Sequence, residues 1–123
     1  MKFNLDRPAT THIVRSYAPG LIRIGDRDFS ARVIVTASVL IEPWRPRRMA
    51  DLAAADLEPV LALQPEILLI GSGERQVFPV PELLAALYAA RLGFEIMATG
   101  AACRTYNVLV AEGREVAAAL MIE

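Results

Sequence analysis

The sequence predicts one α/β domain spanning residues 1–123, and three observations support this prediction. The first third of the chain is rich in β-branched apolar runs, which favour strands. The second half alternates short apolar runs with helical patterns, as in proteins whose sheets are covered by helices. The composition, 54% hydrophobic and 22% charged over 123 residues, suits a single continuous core.

The charge balance and the scarcity of reactive side chains argue against several classes of function. A net charge of −1 provides no basic footprint, so no nucleic-acid partner is expected. Cys103 is the only cysteine and His12 the only histidine, which makes a metal site or Ser-His catalysis improbable. We expect no catalytic residue, no metal and no cofactor.

The N-terminal residues predict no targeting segment. Residues 1–8 are polar and lack the apolar region of a signal peptide. Runs of about 18 apolar residues, the length that a transmembrane helix needs, do not occur. The expected compartment is the cytoplasm.

The β-rich part predicts several short strands. Its apolar runs are 13–17, 21–24, 33–35 and 39–41, with turns at 19–20 and 25–28. The last two runs are either pieces of one long strand or two adjoining strands. If the edge of a strand in this half is exposed, it could supply the interface of a homo-oligomer.

The segment 42–48 interrupts the pattern with two prolines. It carries the only tryptophan and three arginines, namely Trp44, Arg45, Arg47 and Arg48. Tryptophan and arginine are frequent in binding hot spots, so these residues are candidates for binding a protein partner. Alternatively, this is a solvated loop whose tryptophan covers one edge of the core, which is the interpretation we favour.

The remaining chain alternates helices and strands. We expect a helix at 54–63 with Asp56 as N-cap, strands at 66–70, 94–97 and 116–122, and helices from Pro81 to Gly93 and from 100 to 112 capped by Thr99. The buried stripe expected for the middle helix is Leu84, Leu87, Tyr88 and Leu92. The crossover over 67–97 predicts parallel strands. Local reasoning makes the last strand parallel too, although its connection could equally turn back.

Small residues follow two neighbouring strands at their carboxyl ends, where open α/β sheets bind ligands. One strand is followed by Gly71-Ser72-Gly73 and the other by Thr99 and Gly100 at a helix start. Arg104, Thr105 and Asn107 follow on the same helix. The sequence therefore predicts a cleft for an anionic small molecule, although these glycines could also serve only tight turns or close backbone contacts.

Neither of two possible nucleophiles has the surroundings that catalysis needs. Ser72 lacks both the Gly-x-Ser-x-Gly spacing and a nearby histidine. Cys103 lies near a helix start, but without an evident base it is better interpreted as a small core residue.

The C-terminal half resembles a known family. The run 99–109, with Glu112-Gly113-Arg114 and Ala118-Ala119-Leu120, is similar to small uncharacterised proteins that include the mitochondrial respiratory complex I assembly factor three and an adipogenesis-associated domain protein. The runs 65–73 and Pro43-Trp44 fit the same pattern. The resemblance covers essentially the whole chain.

The resemblance implies a three-layer α/β fold with a mixed five-stranded central sheet, a last strand antiparallel to the others, and an additional N-terminal β hairpin. It implies no established enzymatic activity, no cofactor, and a pocket near Gly71, Gly73, Thr99 and Asn107. Two hypotheses follow. The first is a non-enzymatic accessory or assembly protein that binds other proteins. The second is a small-molecule or anion binder, or an enzyme, that uses the cleft at the ends of strands 66–70 and 94–97.

Overall fold

A computed structural model describes residues 11–122 of the chain. Its strands are β1 (Val14–Ala18), β2 (Leu21–Ile24), β3 (Arg27–Phe29), β4 (Val33–Val35), β5 (Leu40–Ile41), β6 (Ile67–Gly71), β7 (Gly93–Met97) and β8 (Val116–Leu120). Its α-helices are α1 (Glu58–Ala62), α2 (Pro81–Ala89) and α3 (Thr99–Ala111), and 3-10 turns cover Met49–Asp51 and Ala54–Leu57. No helix within residues 11–122 combines the length and the hydropathy that a bilayer-spanning segment needs.

The strands form two sheets. A three-stranded antiparallel sheet has the order β1-β2-β3, and a five-stranded sheet has the order β5-β4-β8-β6-β7. The second sheet is mixed, because β6 is parallel to β7 and β8 while β4 is antiparallel to β5 and β8. The mixed five-stranded sheet and the additional N-terminal β structure are therefore confirmed. The runs at 33–35 and 39–41 are adjoining antiparallel strands.

The resemblance implies a last strand antiparallel to the others, and this is wrong for the pairing of β8 with β6. β8 runs parallel to β6, in a register that pairs Ile67 with Val116 and Gly71 with Leu120. The physical reason is the crossover through α3, which returns the chain to the sheet in the direction of β7. β8 is antiparallel only to β4, which comes from the N-terminal half. The parallel orientation from local reasoning is confirmed.

The five-stranded sheet is the middle of three layers. Alternate residues of its strands face opposite sides, so that Leu69 and Leu120 pack with α3 and the small sheet. Leu68 and Ile70 pack on the other side with α1, α2 and the segment that contains Trp44. β8 is buried along its whole length and carries three consecutive alanines, Ala117 to Ala119, which allow both outer layers to approach the sheet closely.

Several local expectations need correction. The helix expected at 54–63 is a 3-10 turn followed by α1, and Asp56 accepts a hydrogen bond from the Ala53 N–H instead of standing at the N-cap position. Gly93 does not end α2, because it begins β7 while Arg91 adopts the left-handed φ of 58°. Thr99 is the first residue of α3, and its side chain makes no N-cap hydrogen bond.

Two side chains of α3 attach the small sheet to the helix. The Tyr106 hydroxyl donates to the His12 carbonyl over 2.8 Å. The Asn107 amide pairs with both backbone groups of Val14: its oxygen accepts from the N–H at 3.0 Å, and its NH₂ group donates to the C=O at 2.8 Å. The amide therefore takes the place of a neighbouring strand at this point of β1.

Replacing Asn107 with alanine should destabilise the protein by about 1–3 kcal/mol, because both half-buried backbone groups of Val14 lose their partners. Urea unfolding measures the loss. Val108→Ala is the matched control, since Val108 is 56% exposed and its truncation should change stability by no more than about 0.5 kcal/mol. Equal stability of the two variants would contradict the role of Asn107.

Candidate functional site

The two loops of small residues lie against each other, as the sequence predicts. The Thr99 hydroxyl, fully buried, accepts a hydrogen bond from the Gly73 N–H at 2.8 Å and donates one to the Met121 carbonyl at 2.6 Å. The Thr99 N–H in turn donates to the Gly73 carbonyl at 2.8 Å. Thr99 therefore joins the residues that follow β6 and β8 to the beginning of α3.

No open cleft separates Gly71 from Thr99. A Cβ atom on Gly71 would lie 2.8 Å from the Thr99 hydroxyl oxygen, closer than real Cβ atoms approach a neighbour, and 3.0 Å from the Thr99 Cα, a very tight contact. The cleft expected between these two residues is therefore wrong, because the threonine side chain fills the space. Glycine at position 71 serves the close approach of another backbone.

Two further residues of the predicted cleft serve local structure. The Ser72 hydroxyl donates to the Arg75 carbonyl at 2.5 Å and accepts from the Val77 N–H at 2.9 Å, which organises the loop after β6. The Thr105 hydroxyl lies 3.6 Å from the Met97 sulfur. Both hydroxyls are thus engaged within the fold.

The other predicted residues, Gly100, Arg104 and Asn107, line a groove of about 210 Å³ between β1 and α3. The Tyr17 ring lies over Gly100, with its Cδ2 atom 3.4 Å from where a glycine Cβ would stand. The Tyr17 hydroxyl is buried, and it has no hydrogen-bond partner among residues 11–122. Burial is the main reason that the pKa of this phenol is raised, and the nearby Glu74 and Cys103 raise it further.

Cys103 forms part of the same groove but lacks the properties of a nucleophile. Its side chain is buried, and burial raises the pKa of the thiol to about 12 despite the opposing effect of Arg104. The thiol is therefore protonated at neutral pH, and the thiolate is the reactive form. This supports the interpretation of Cys103 as a core residue.

The segment around Trp44 is held within the fold. Trp44 is only 3% exposed, and its indole N–H donates to the Asp56 carbonyl at 3.0 Å. Trp44 as a residue exposed for docking is therefore wrong, because it covers the core as the alternative interpretation predicts. Arg45 donates two hydrogen bonds of 2.7 and 2.6 Å to the Asp56 carboxylate and a third to the Asp51 carbonyl.

The ion pair between Arg45 and Asp56 changes the pKa of the Asp56 carboxyl group. Its hydrogen bonds lower the pKa of Asp56, with a smaller contribution in the same direction from the Ala53 N–H. Arg48 forms a longer contact of 3.8 Å with Asp51, and Arg47 is exposed. The three arginines therefore belong to a loop that is held against the rest of the fold, and the tryptophan of this loop is buried.

An apolar surface that the sequence did not predict lies along the side of β7 that has no strand neighbour within residues 11–122. We call it the edge surface and define it by Phe78, Leu84, Tyr88, Leu92 and Phe94, which line a groove of about 640 Å³. Phe78 is 61% exposed and Tyr88 is 71% exposed. The Tyr88 ring meets the Phe94 ring edge-on, with centroids 5.2 Å apart.

Tyr88 was expected in the buried stripe of α2, and this expectation is wrong. The buried residues of α2 are Leu83 and Leu87, and Leu84 is half-buried. The pattern misleads because apolar side chains occur around most of this short helix, so several faces could be the buried one. The remaining signal in the sequence is the three aromatic residues between 78 and 94, namely Phe78, Tyr88 and Phe94.

Substituting Gly71 with alanine should destabilise the protein by about 1–3 kcal/mol, since the added methyl group overlaps the hydrogen-bonded Thr99 hydroxyl and crowds the Thr99 Cα. Gly93→Ala is the control, because its Cβ would meet only the Glu66 carbonyl oxygen, at 3.4 Å. Denaturant unfolding of both variants measures the difference. A Gly71→Ala variant as stable as the wild type would mean that space remains beside Thr99.

Comparisons with known proteins support this architecture. A crystal structure of a Bordetella parapertussis protein superimposes with a TM-score of 0.86 at 36% identity, covering 95% of this chain and 100% of that one. The 13 kDa major membrane protein of Francisella tularensis is 31% identical over 103 residues, which are 83% of this chain and 84% of the relative.

A third relative is an assembly factor by name. The bovine NADH dehydrogenase [ubiquinone] 1 alpha subcomplex assembly factor 3 is 28% identical over 118 residues, covering 94% of this chain. The match spans 63% of the length of the bovine protein. The model of the family described as protein of unknown function (DUF498/DUF598) matches residues 14–121. The chain therefore belongs to the DUF498/DUF598 family.

Proposed function

We propose that this protein is a non-enzymatic accessory or assembly factor that acts by binding another protein through its edge surface. The observation that carries the proposal is the exposure of two aromatic side chains, Phe78 and Tyr88, beside a strand, β7, that pairs on one side only within the described part of the chain. Exposed aromatic residues around a groove are typical of protein-binding surfaces. The proposed compartment is the cytoplasm.

The relatives support an assembly role. The bovine relative is an assembly factor of NADH dehydrogenase, a multi-subunit complex. An assembly factor must bind a subunit and later release it, which suits a moderate apolar groove better than a large permanent interface. We propose a subunit of a multi-subunit complex as the partner of this chain.

The edge surface can be tested by photo-crosslinking in the native cell. A photoreactive amino acid at position 88 should crosslink to a defined partner, whereas the same group at position 108 should not. Val108 is a fair control because it is also apolar, helical and exposed, but lies on α3.

The affinities of two variants for the crosslinked partner then test the proposal. Tyr88→Glu should weaken binding by about thirtyfold or more, the loss expected for an aromatic hot spot, while Val108→Glu should leave it unchanged. Calorimetry with the purified partner measures both. Equal effects at the two positions would exclude the edge surface as the binding site.

Anion binding is the second candidate, and the groove between β1 and α3 is its proposed place. The observation that favours it is the buried Tyr17 hydroxyl, which has no hydrogen-bond partner in the described part of the chain and beside which Arg15 and Arg104 are exposed. Neither arginine forms an ion pair within residues 11–122. Two cations and a phenol could together bind a phosphate or carboxylate.

If the groove binds anions, inorganic pyrophosphate should raise the melting temperature, because a ligand of the folded state stabilises it. Arg104→Gln should remove this rise. Arg91→Gln, which changes an arginine of the edge surface groove instead, should retain it. A rise that persists in Arg104→Gln, or the absence of any rise in the wild type, would exclude the groove as an anion site.

A further inference from the structure

We propose that β7 accepts an additional strand, namely an extended segment of a partner protein that is apolar on one face and basic on the other. This inference rests on the proposed function, since it names how the partner binds the edge surface. Three features carry it: the free backbone groups of β7, the shape of the groove, and the charge of Glu95.

The backbone of β7 offers free hydrogen-bonding groups. Among residues 11–122, β7 is the last strand of its sheet, with β6 on one side only. The Met97 carbonyl accepts from the Ser72 N–H on the β6 side, whereas the Ile96 carbonyl accepts from the Gln76 side chain on the other side. Because successive residues of a strand direct their backbone groups to opposite sides, the Ile96 N–H and both backbone groups of Phe94 point to the free side.

The groove beside these groups is long enough to hold a short added strand. It follows β7 from Gly93 to Ile96, and Phe78 and Tyr88 contribute to its walls. Four or five extended residues, about 15 Å of chain, would cover this length. Side chains of an added strand that lie on the same face as Phe94 and Ile96 would meet these aromatic walls, so apolar residues are expected there.

Glu95 determines the charge of the added strand. It lies on the opposite face of β7 from Phe94, it is exposed, and it has no ion-pair partner within residues 11–122. A residue placed directly opposite would be closest to this carboxylate, which favours lysine or arginine. A second copy of this chain fits less well, because the antiparallel register that pairs Phe94 with Ile96 places Glu95 opposite Glu95 of the second copy.

The probe for this proposal is a capped peptide with the sequence Val-Thr-Val-Lys-Val-Thr-Val. In an antiparallel arrangement, the more stable pairing per residue, its valines lie on the face of Phe94 and its lysine lies opposite Glu95. NMR on the full chain should show slower hydrogen exchange of the Phe94 and Ile96 amides and shifted signals of Tyr88. No change at these amides with millimolar peptide would overturn the proposal.

Backbone methylation separates strand addition from simple apolar contact. N-methylation of the valine opposite Phe94, which follows the lysine, removes the N–H group that would bond to the free Phe94 carbonyl, so binding should be lost. N-methylation of the lysine is the matched control, because its N–H faces away from β7 and binding should persist. If both methylated peptides bind alike, strand addition is wrong, although the edge surface could still bind proteins.

Charge reversal tests the role of Glu95. A peptide with glutamate in place of the lysine should bind the wild type about fivefold more weakly, the effect of one unfavourable cross-strand pair. The Glu95→Lys variant should reverse this order of affinity. If the order is the same in both proteins, the predicted basic residue is wrong.

Sedimentation of the free protein completes the test. A dimer in which the Phe94 and Ile96 amides are already protected would assign the edge to a second copy and overturn the proposal. A monomer supports it. Failure of the proposed function is distinguishable, because it is measured by the Tyr88→Glu variant and the native partner and does not depend on the peptide.

Discussion

The buried hydroxyl of Thr99 makes the contact on which the arrangement of the sheet and α3 depends. A hydroxyl can donate one hydrogen bond and accept others, so this side chain serves the Gly73 N–H and the Met121 carbonyl together. Both groups lie just beyond the ends of strands, where the sheet offers them no further partner. Each would cost about 1–3 kcal/mol if buried without one.

The position of Thr99 also determines where the small sheet attaches. Because Thr99 is the first residue of α3, Tyr106 and Asn107 follow two helical turns later on nearly the same face. Their side chains bond to the backbone of His12 and Val14, the first part of the small sheet. The threonine contact at one end of α3 thus aligns the helix on which the N-terminal layer depends.

How much of this could be predicted from the sequence depends on how local each feature is. The meeting of Gly71 and Thr99 follows from two neighbouring parallel strands, and the sequence predicts it correctly. Whether glycine there admits a ligand or another backbone depends on the side chain opposite, which local patterns do not reveal. Trp44 shows the same dependence, because its proline-rich surroundings left a docking residue and a cover for the core both open, and the burial of the indole confirms the favoured second interpretation.

The edge surface could not be predicted, because the order of strands in a sheet is a long-range property. The aromatic residues near β7 are visible in the sequence, but only the strand order shows that no strand from residues 11–122 lies on the other side of β7. Exposed strand edges promote aggregation, and natural proteins protect them with charges or side-chain contacts. Glu95 and the Gln76 contact to Ile96 give β7 part of that protection.

The protection of β7 against pairing with other strands is incomplete, because aromatic side chains remain exposed beside it. Protection alone would be served best by polar side chains, yet Phe78 and Tyr88 keep most of their surface exposed beside the strand. Neither ring is needed to fill the core, since Leu83 and Leu87 already form the buried face of α2. An edge that combines free backbone groups, aromatic walls and the Glu95 carboxylate on the strand itself opposes pairing with itself while it permits pairing with a complementary strand. These opposing features are consistent with selection for a partner rather than against association in general.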